Sequence, residues 1–289
     1  MEKFRKLNFK CPNCEHALEK RSEGLSCPTC LNSFNYDSNQ SLSFIGSESI
    51  QVSDSVDRAK GYMKKLGPIY NFIVDVVSPV YPSPTFECRR IVKRALAEGQ
   101  LVLNLGSGAS NIGEKVINVD FLPYSNVDVI CSVDALPFQD DCVDLIVNIA
   151  VLEHVSNPLE VVEEFYRVLK PGGKLYCFVP FIQGFHASPW DFQRYTKPGL
   201  KVLFKKFEID SITSAGPTSG MLWVFQEWVA LILSLGIRPV HKIVWPAIVL
   251  LTWPLKFLDV VLRHSSLGEN ITSGFAVTAS KPARDLSKD

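Results

Sequence analysis

The sequence predicts an α/β fold built on a mostly parallel sheet, and three observations predict it. Short apolar runs, Leu101–Leu105, Val116–Val119, Val127–Cys131 and Val143–Ile149, have the length of strands buried on both faces. Gly106-Ser107-Gly108 breaks the first run, a tight turn at a strand's C-terminal end, where glycine permits positive φ and close backbone approach to a ligand. The second run closes on Asp120, an acid placed to accept hydrogen bonds from a ribose diol at the edge where open α/β sheets bind nucleotides. Turn and acid thus read as one nucleoside-type pocket. Two additions complete the prediction: a cysteine-rich module before the sheet and an apolar helical insertion before its last strand.

Near the N-terminus, Cys11-Pro-Asn-Cys14 and Cys27-Pro-Thr-Cys30 are two Cys-x-x-Cys knuckles separated by twelve residues. Each knuckle lets two thiolates chelate one ion, and four thiolates suit a closed tetrahedral zinc site, structural in kind. Iron in a rubredoxin-like site, two disulfides or a redox pair are the alternatives. His16 is expected to be solvated, because Cys11, Cys14, Cys27 and Cys30 already fill the shell. So short a module, residues 1–36, has little core of its own, and losing Cys27 is expected to unfold it alone. From Asp37 to Asp57 the chain is polar and serine-rich, which reads as a linker. Val56–Val77 has helical spacing broken at Gly67-Pro68, and Pro79, Pro82 and Pro84 make a stiff connector, so residues 37–84 join the module to a large domain, residues 85–289. That domain opens with an amphipathic helix, Thr85–Ala97, closed by Glu98-Gly99.

Gly106-x-Gly108 lacks the third glycine of a dinucleotide site, and no Lys-Ser/Thr pair follows as a phosphate loop needs. Three more motifs follow it in order: Asp134-Ala135-Leu-Pro-Phe138, then Val143 through Asn148-Ile149-Ala150 to Glu153-His154, then Glu164 through Pro171-Gly172-Gly173. Together, over roughly Leu101–Pro180, the four resemble class I S-adenosylmethionine-dependent methyltransferases of the methyltransferase-11 type. The resemblance implies a Rossmann-like sheet, S-adenosyl-L-methionine as cofactor, and catalysis. It implies a cofactor site made by Asn104, Leu105, Gly106, Ser107, Gly108, Asp120, Phe121, Asp134, Ala135, Asn148, Ile149 and Ala150. In it Asp134 accepts from the adenine amino group and the Ala135 N–H meets a ring nitrogen; read without the resemblance, Asp134 is an Asx turn. Two departures stand out. Asn104 occupies a position that is usually acidic in such proteins, and the residues between Gly108 and Val116 are too few for a crossover helix.

Asn157-Pro158-x-Glu160 has the makings of a helix start, running to Lys170 and stopped by Pro171-Gly172-Gly173 before a fifth strand, Lys174–Pro180. The loop after Pro180 mixes His186, Trp190, Asp191, Arg194 and Tyr195 at the sheet edge where ligands bind, which marks it as the acceptor site. His154 and His186 are the candidate bases, with Asp191 to orient or assist; beside Glu153, His154 reads equally as a structural hydrogen-bonding residue. Phe207–Thr213 and Ile271–Ala279 read as a closing antiparallel pair. Between them lies an insertion, residues 216–270, in which Trp228–Ile237 and Ile243–Leu255 are nearly free of charge, each short of the roughly 20 residues that span a bilayer. Trp223, Trp228, Trp245 and Trp253 fall there, as at a membrane interface. A helical subdomain or an oligomer face is the plainer reading.

Thirty basic and thirty acidic side chains cancel, so no global basic field draws the chain to nucleic acid. Cys88, Cys131, Cys142 and Cys177 sit singly in apolar runs, as reduced core residues do. With charge from Glu2 onward the N-terminus does not read as a secretory leader, and a cytoplasmic protein, peripheral at the inner face of a membrane, is expected. The function expected is methyl transfer to oxygen or carbon of a small or lipid-linked acceptor. RNA base methylation with a zinc-ribbon substrate module is one alternative. A non-catalytic cofactor-binding scaffold is another, favoured by Asn104 and the missing crossover helix.

Overall fold

The computed structural model describes residues 2–45, 83–186 and 190–283; the expected helix over Val56–Val77 and the prolines Pro79 and Pro82 lie outside the described residues. An eight-stranded sheet carries the large domain. Its strands are β4 (Leu42–Ser43), β5 (Val102–Leu105), β6 (Ile117–Asp120), β7 (Val129–Ile130), β8 (Val143–Ile149), β9 (Leu169–Pro180), β10 (Glu208–Ser214) and β11 (Gly274–Ser280), in the order β10-β11-β9-β8-β5-β6-β7-β4. From β4 to β9 all pairs are parallel, whereas β11 runs antiparallel to both β9 and β10. The predicted α/β sheet and closing antiparallel pair are therefore present. The strand order reverses at β5, and the β5 and β8 ends form the crevice where such sheets take ligands.

Apolar faces explain the layers. Helix α1 (Pro84–Ala97) buries Cys88, Val92 and Ala95 in one cluster with Val102 and Leu145. On the other face α2 (Pro158–Val168) buries Val161, Val162, Phe165 and Val168 with Leu103, Leu105 and Ile146. Alternate residues of β5 thus serve opposite layers, as a strand's period of two requires. Each such side chain contributes roughly 1.5–3 kcal/mol by leaving water.

Helix α2 ends at Val168 rather than Lys170, because Leu169 already pairs with Val143; Pro171-Gly172-Gly173 falls in an irregular start of β9 and does not precede the strand. Asn157 stands at the cap but its side chain makes no capping hydrogen bond. As expected, no helix connects β5 to β6 across residues 106–116.

A larger difference is at the N-terminus. A three-stranded antiparallel sheet, β1 (Glu19–Arg21), β2 (Gly24–Ser26) and β3 (Ser33–Asn35), carries the cysteine knuckles. Part of the polar stretch expected as linker then joins the main sheet as β4. The Leu42 and Phe44 N–H groups donate to Asp128 and Ile130 carbonyls at 2.9 Å, and Ser41 Oγ donates to the Val127 carbonyl at 2.7 Å. An open edge at β7 offers unpaired backbone groups, and this short segment takes them. Phe4, Leu7, Phe9 and Leu25 are buried in the same cluster as β5 and α2, and the Phe9 and Phe138 rings lie 5.5 Å apart.

After α3 (Lys197–Leu203), the insertion comprises α4 (Pro217–Ser234), α5 (Arg238–Thr252), a 3-10 turn (Trp253–Leu258) and α6 (Asp259–Leu262). Arg238–Leu262 is one helical course of 25 residues that contains an 18-residue stretch of mean hydropathy 1.6 with 17% of that stretch buried, so its length and composition would suffice to cross a bilayer, which the shorter apolar run in the sequence did not suggest. Asp259 anchors this insertion. Fully buried, its carboxylate accepts from the Thr218 and Ser219 N–H groups at 2.8 Å and from Ser219 Oγ at 2.7 Å, a charged cap on the N-terminus of α4. A Cβ on Gly216 would lie 1.7 Å from Asp259 Oδ2, so only glycine fits there. Asp259→Ala is expected to lower unfolding free energy by about 2–4 kcal/mol in denaturant melts, since it strands these donors in the interior. A loss below about 1 kcal/mol would contradict this anchoring role.

Candidate active site

At the β5 end the backbone of the turn is held by the neighbouring strand. Gly106 and Ser107 N–H groups donate to the Val119 carbonyl at 2.8 and 3.1 Å, and the Gly108 N–H donates to Asp120 Oδ2 at 2.7 Å. Asp120 Oδ1 accepts from the Leu122 N–H at 2.9 Å. The amides expected to face a ligand are therefore occupied within the chain, and the glycines supply room instead. Gly106 has φ +69° and a Cβ there would come within 2.2 Å of Val151 Cγ2; at Gly108, with φ +52°, a Cβ would meet nothing within 4 Å.

Among the other residues named for the cofactor, the structure separates those at the edge from those inside. Asn104 is buried, and its amide donates to Asn118 Oδ1 at 3.1 Å. Asn148 is fully buried, donating to the Leu105 carbonyl at 3.0 Å and lying 3.5 Å from Cys177 Sγ. These amides join β8, β5 and β6 side to side, and Leu105 lies in the core. The edge itself is made by Gly106–Gly108, Asp120, the 41% exposed Phe121, the exposed Asp134 and Ala135, and Ile149-Ala150. Ala150 takes φ +55°, a conformation uncommon for a side-chain-bearing residue, as β8 turns toward Val151. Asp134 makes no Asx-turn hydrogen bond; the Leu136 N–H donates to Glu164 at 2.8 Å instead.

The ends of β8 and β9 bring His154 and His186 together, their rings 5.3 Å apart and edge to face. Between them is Glu153, a residue the sequence reading treated only as a neighbour: Nε2 of each histidine lies 3.7 Å from its Oε1. Glu153 is fully buried and neither carboxylate oxygen has a hydrogen-bond partner. Its carboxylate raises the pKa of His186 above the ordinary histidine value, against the effect of burial. Asp191 is held by the Arg194 guanidinium through both oxygens and also accepts from the His186 N–H at 2.9 Å. Arg194 depresses Asp191 to a pKa of about 2, so this carboxylate is a fixed anion that shapes the loop. The sequence offered one signal for Arg194, its i,i+3 spacing from Asp191; Trp223 of α4, whose ring lies 5.7 Å from His186, had none. A cavity of about 810 Å³ lined by Arg90, Lys93, Arg94 and Tyr176 lies toward the start of β9, away from this edge.

In the N-terminal module Cys11, Cys14, Cys27 and Cys30 are free thiols whose sulfurs all lie within 4.8 Å of one another, with Cys11–Cys30 at 3.5 Å and Cys14–Cys27 at 3.3 Å. Tetrahedral zinc with bonds of about 2.3 Å sets sulfurs about 3.8 Å apart, so the four fit one ion. The Cys30 backbone N–H points at Cys27 Sγ, 3.5 Å away, and favours its thiolate, lowering its pKa to about 6. His16 is exposed.

The model of the family described as "Methyltransferase domain" matches residues 103–177, from β5 into β9. Residues 103–177 carry a methyltransferase domain. It is the domain of an S-adenosylmethionine-dependent enzyme. Among relatives, a ubiquinone/menaquinone biosynthesis C-methyltransferase from Hydrogenovibrio crunogenus is 27% identical over 184 residues, covering 52% of this chain and 70% of that protein. A demethylmenaquinone methyltransferase from Anoxybacillus flavithermus is 35% identical over 75 residues, 25% of this chain and 32% of that one. Among solved structures, the Haemonchus contortus phosphoethanolamine N-methyltransferase 2 is 14% identical with a TM-score of 0.47, covering 81% of this chain and 61% of that one. At that level the likeness carries no argument about this methyltransferase.

Proposed function

We propose that this methyltransferase transfers the S-adenosylmethionine methyl group to an oxygen or carbon of a lipophilic small molecule, such as a quinone precursor, while resting on a membrane surface. One observation carries the reading: the apolar insertion stands over the edge that bears the acceptor loop. Trp223 reaches His186, and a Cβ on Gly184 would lie 2.5 Å from Trp223 Nε1, so α4 roofs this loop. Beyond the roof, Trp228, Leu235, Ile243 and Leu251 are 58–83% exposed, an apolar surface of the kind that meets lipid or a lipophilic ligand. The quinone methyltransferases among the relatives agree with such an acceptor.

In this reading Asp120 binds the ribose, Asp134 and Ala135 the adenine, and Gly106, Gly108, Phe121 and Ala150 shape the cleft. The sulfonium needs no further activation, so the protein's task is in-line positioning and disposal of the acceptor's proton, for which Glu153, His154 and His186 stand ready. Residues 85–289 form the catalytic domain, and residues 1–36 a module around one structural zinc on the four cysteines. Wild type is expected to co-sediment with anionic lipid vesicles, and Ile243→Glu with Leu251→Glu, both at exposed sites, to cut the bound fraction at least fivefold. Wild type remaining in the supernatant at low salt would overturn the membrane part.

A further inference from the structure

We infer that Glu153, His154 and His186 form a binding site for a divalent metal ion, which presents an open coordination position to an oxygen of the acceptor. The inference rests on the methyl-transfer reading for the acceptor, but the site itself stands on its own geometry. Glu153 is fully buried with both carboxylate oxygens unpartnered, an arrangement that a folded protein rarely keeps without a counter-charge. Its side chain, His154 and His186 each offer a ligand atom, and these atoms all lie within 4.8 Å of one another.

Hydrogen bonding fixes which ring nitrogen faces inward. His154 Nδ1 lies 2.5 Å from the Trp190 carbonyl and His186 Nδ1 lies 2.9 Å from the Gly184 carbonyl, so each Nδ1 carries the proton and donates it. Arg194 Nη2, 3.4 Å from His186 Nδ1, is closer to the same Gly184 carbonyl, at 3.0 Å, and does not compete for that role. Each ring then turns its Nε2 toward Glu153 Oε1, 3.7 Å away and too far for a hydrogen bond. Two ring nitrogens are thus aimed at a buried carboxylate that hydrogen-bonds to neither, a donor set that a cation between them would satisfy. Metal-binding histidines commonly donate the other ring N–H to a backbone carbonyl in this way. His186 is held further by its backbone N–H to Asp191, itself clamped by Arg194.

One carboxylate and two imidazoles suit first-row divalent ions, and three protein ligands leave room for water or substrate. An acceptor hydroxyl bound there would lose its proton to water more readily. Its oxygen would then form the new O–C bond as the C–S bond breaks, the electron pair leaving with sulfur as the neutral thioether. The acceptor class is therefore one with an ionisable oxygen at or beside the methylated position.

The test is a Mn²⁺ titration of the full chain followed by electron paramagnetic resonance, manganese being hard enough to avoid thiolates, with Zn²⁺ titrated in parallel. One bound Mn²⁺ per chain is expected, and one Zn²⁺ beyond the cysteine cluster. Glu153→Gln and His186→Gln should each weaken that binding at least tenfold while retaining S-adenosylhomocysteine binding. The site is refuted if wild type binds neither ion there while still binding S-adenosylhomocysteine, or if both variants bind Mn²⁺ as wild type does. Failure of wild type to bind S-adenosylhomocysteine would count against the methyl-transfer reading instead.

Discussion

Removing the metal from the cysteine cluster, by chelation or by Cys27→Ser, is expected to lower the melting temperature of the whole chain by roughly 10 °C or more. Zinc supplies roughly 10–16 kcal/mol to folding of isolated zinc-finger peptides, and this module has few other sources of stability. Here the module is not autonomous. Phe4, Leu7 and Phe9 are buried among the side chains of the main sheet, the Lys10 N–H donates to the Pro137 carbonyl at 3.0 Å, and β4 extends the sheet beyond β7. Several kcal/mol lost at the cysteines are thus lost to the domain, at about 2–4 °C per kcal/mol for a chain of this size. Scanning calorimetry should show one transition displaced downward. A two-step melt with an unshifted main transition would restore the picture of a module that unfolds alone, which the sequence by itself suggested.

Asp120→Ala is expected to weaken S-adenosylhomocysteine binding at least 100-fold, or about 2.7 kcal/mol. Two losses combine at this residue. Its carboxylate would bind the ribose diol, and it already fixes the Gly108 and Leu122 N–H groups, so its removal loosens both walls of the cleft. Charged hydrogen bonds of this kind are each worth roughly 1.5–3 kcal/mol. Asp134→Ala, at an exposed position with no partner within the described chain, should cost nearer tenfold. Titration calorimetry on both variants measures the difference, and an Asp120→Ala affinity within threefold of wild type would contradict the assignment.

Much of the sheet was legible because buried parallel strands are written as continuous apolar runs, and β5, β6 and β8 are such runs. What escaped was set by tertiary context. β4 is two residues among serines, and only the open edge of β7 makes it a strand. Arg238-Pro239 and His241-Lys242 separate the two apolar runs in the sequence, yet this segment opens α5, Pro246 sits inside that helix and Pro254 falls in the following 3-10 turn, so the helical course is longer than the second run. In the candidate site, Gly106, Gly108 and Asp120 were read from their order along the chain, and they lie together at the strand-end edge. Asn104 and Asn148 lie inside the sheet, where a polar residue in a buried strand serves its neighbours across the sheet, a use its position in the sequence does not separate from ligand binding. The Glu153 pairing was hidden because residues 153 and 186 meet only where β8 and β9 end side by side.

Calorimetric titration of the purified wild-type chain with S-adenosylhomocysteine tests the central claim most directly. Saturable binding at one site per chain, competed by S-adenosylmethionine, is the predicted result. Absence of binding to a chain that melts cooperatively would contradict it and leave a methyltransferase-like sheet without its cofactor.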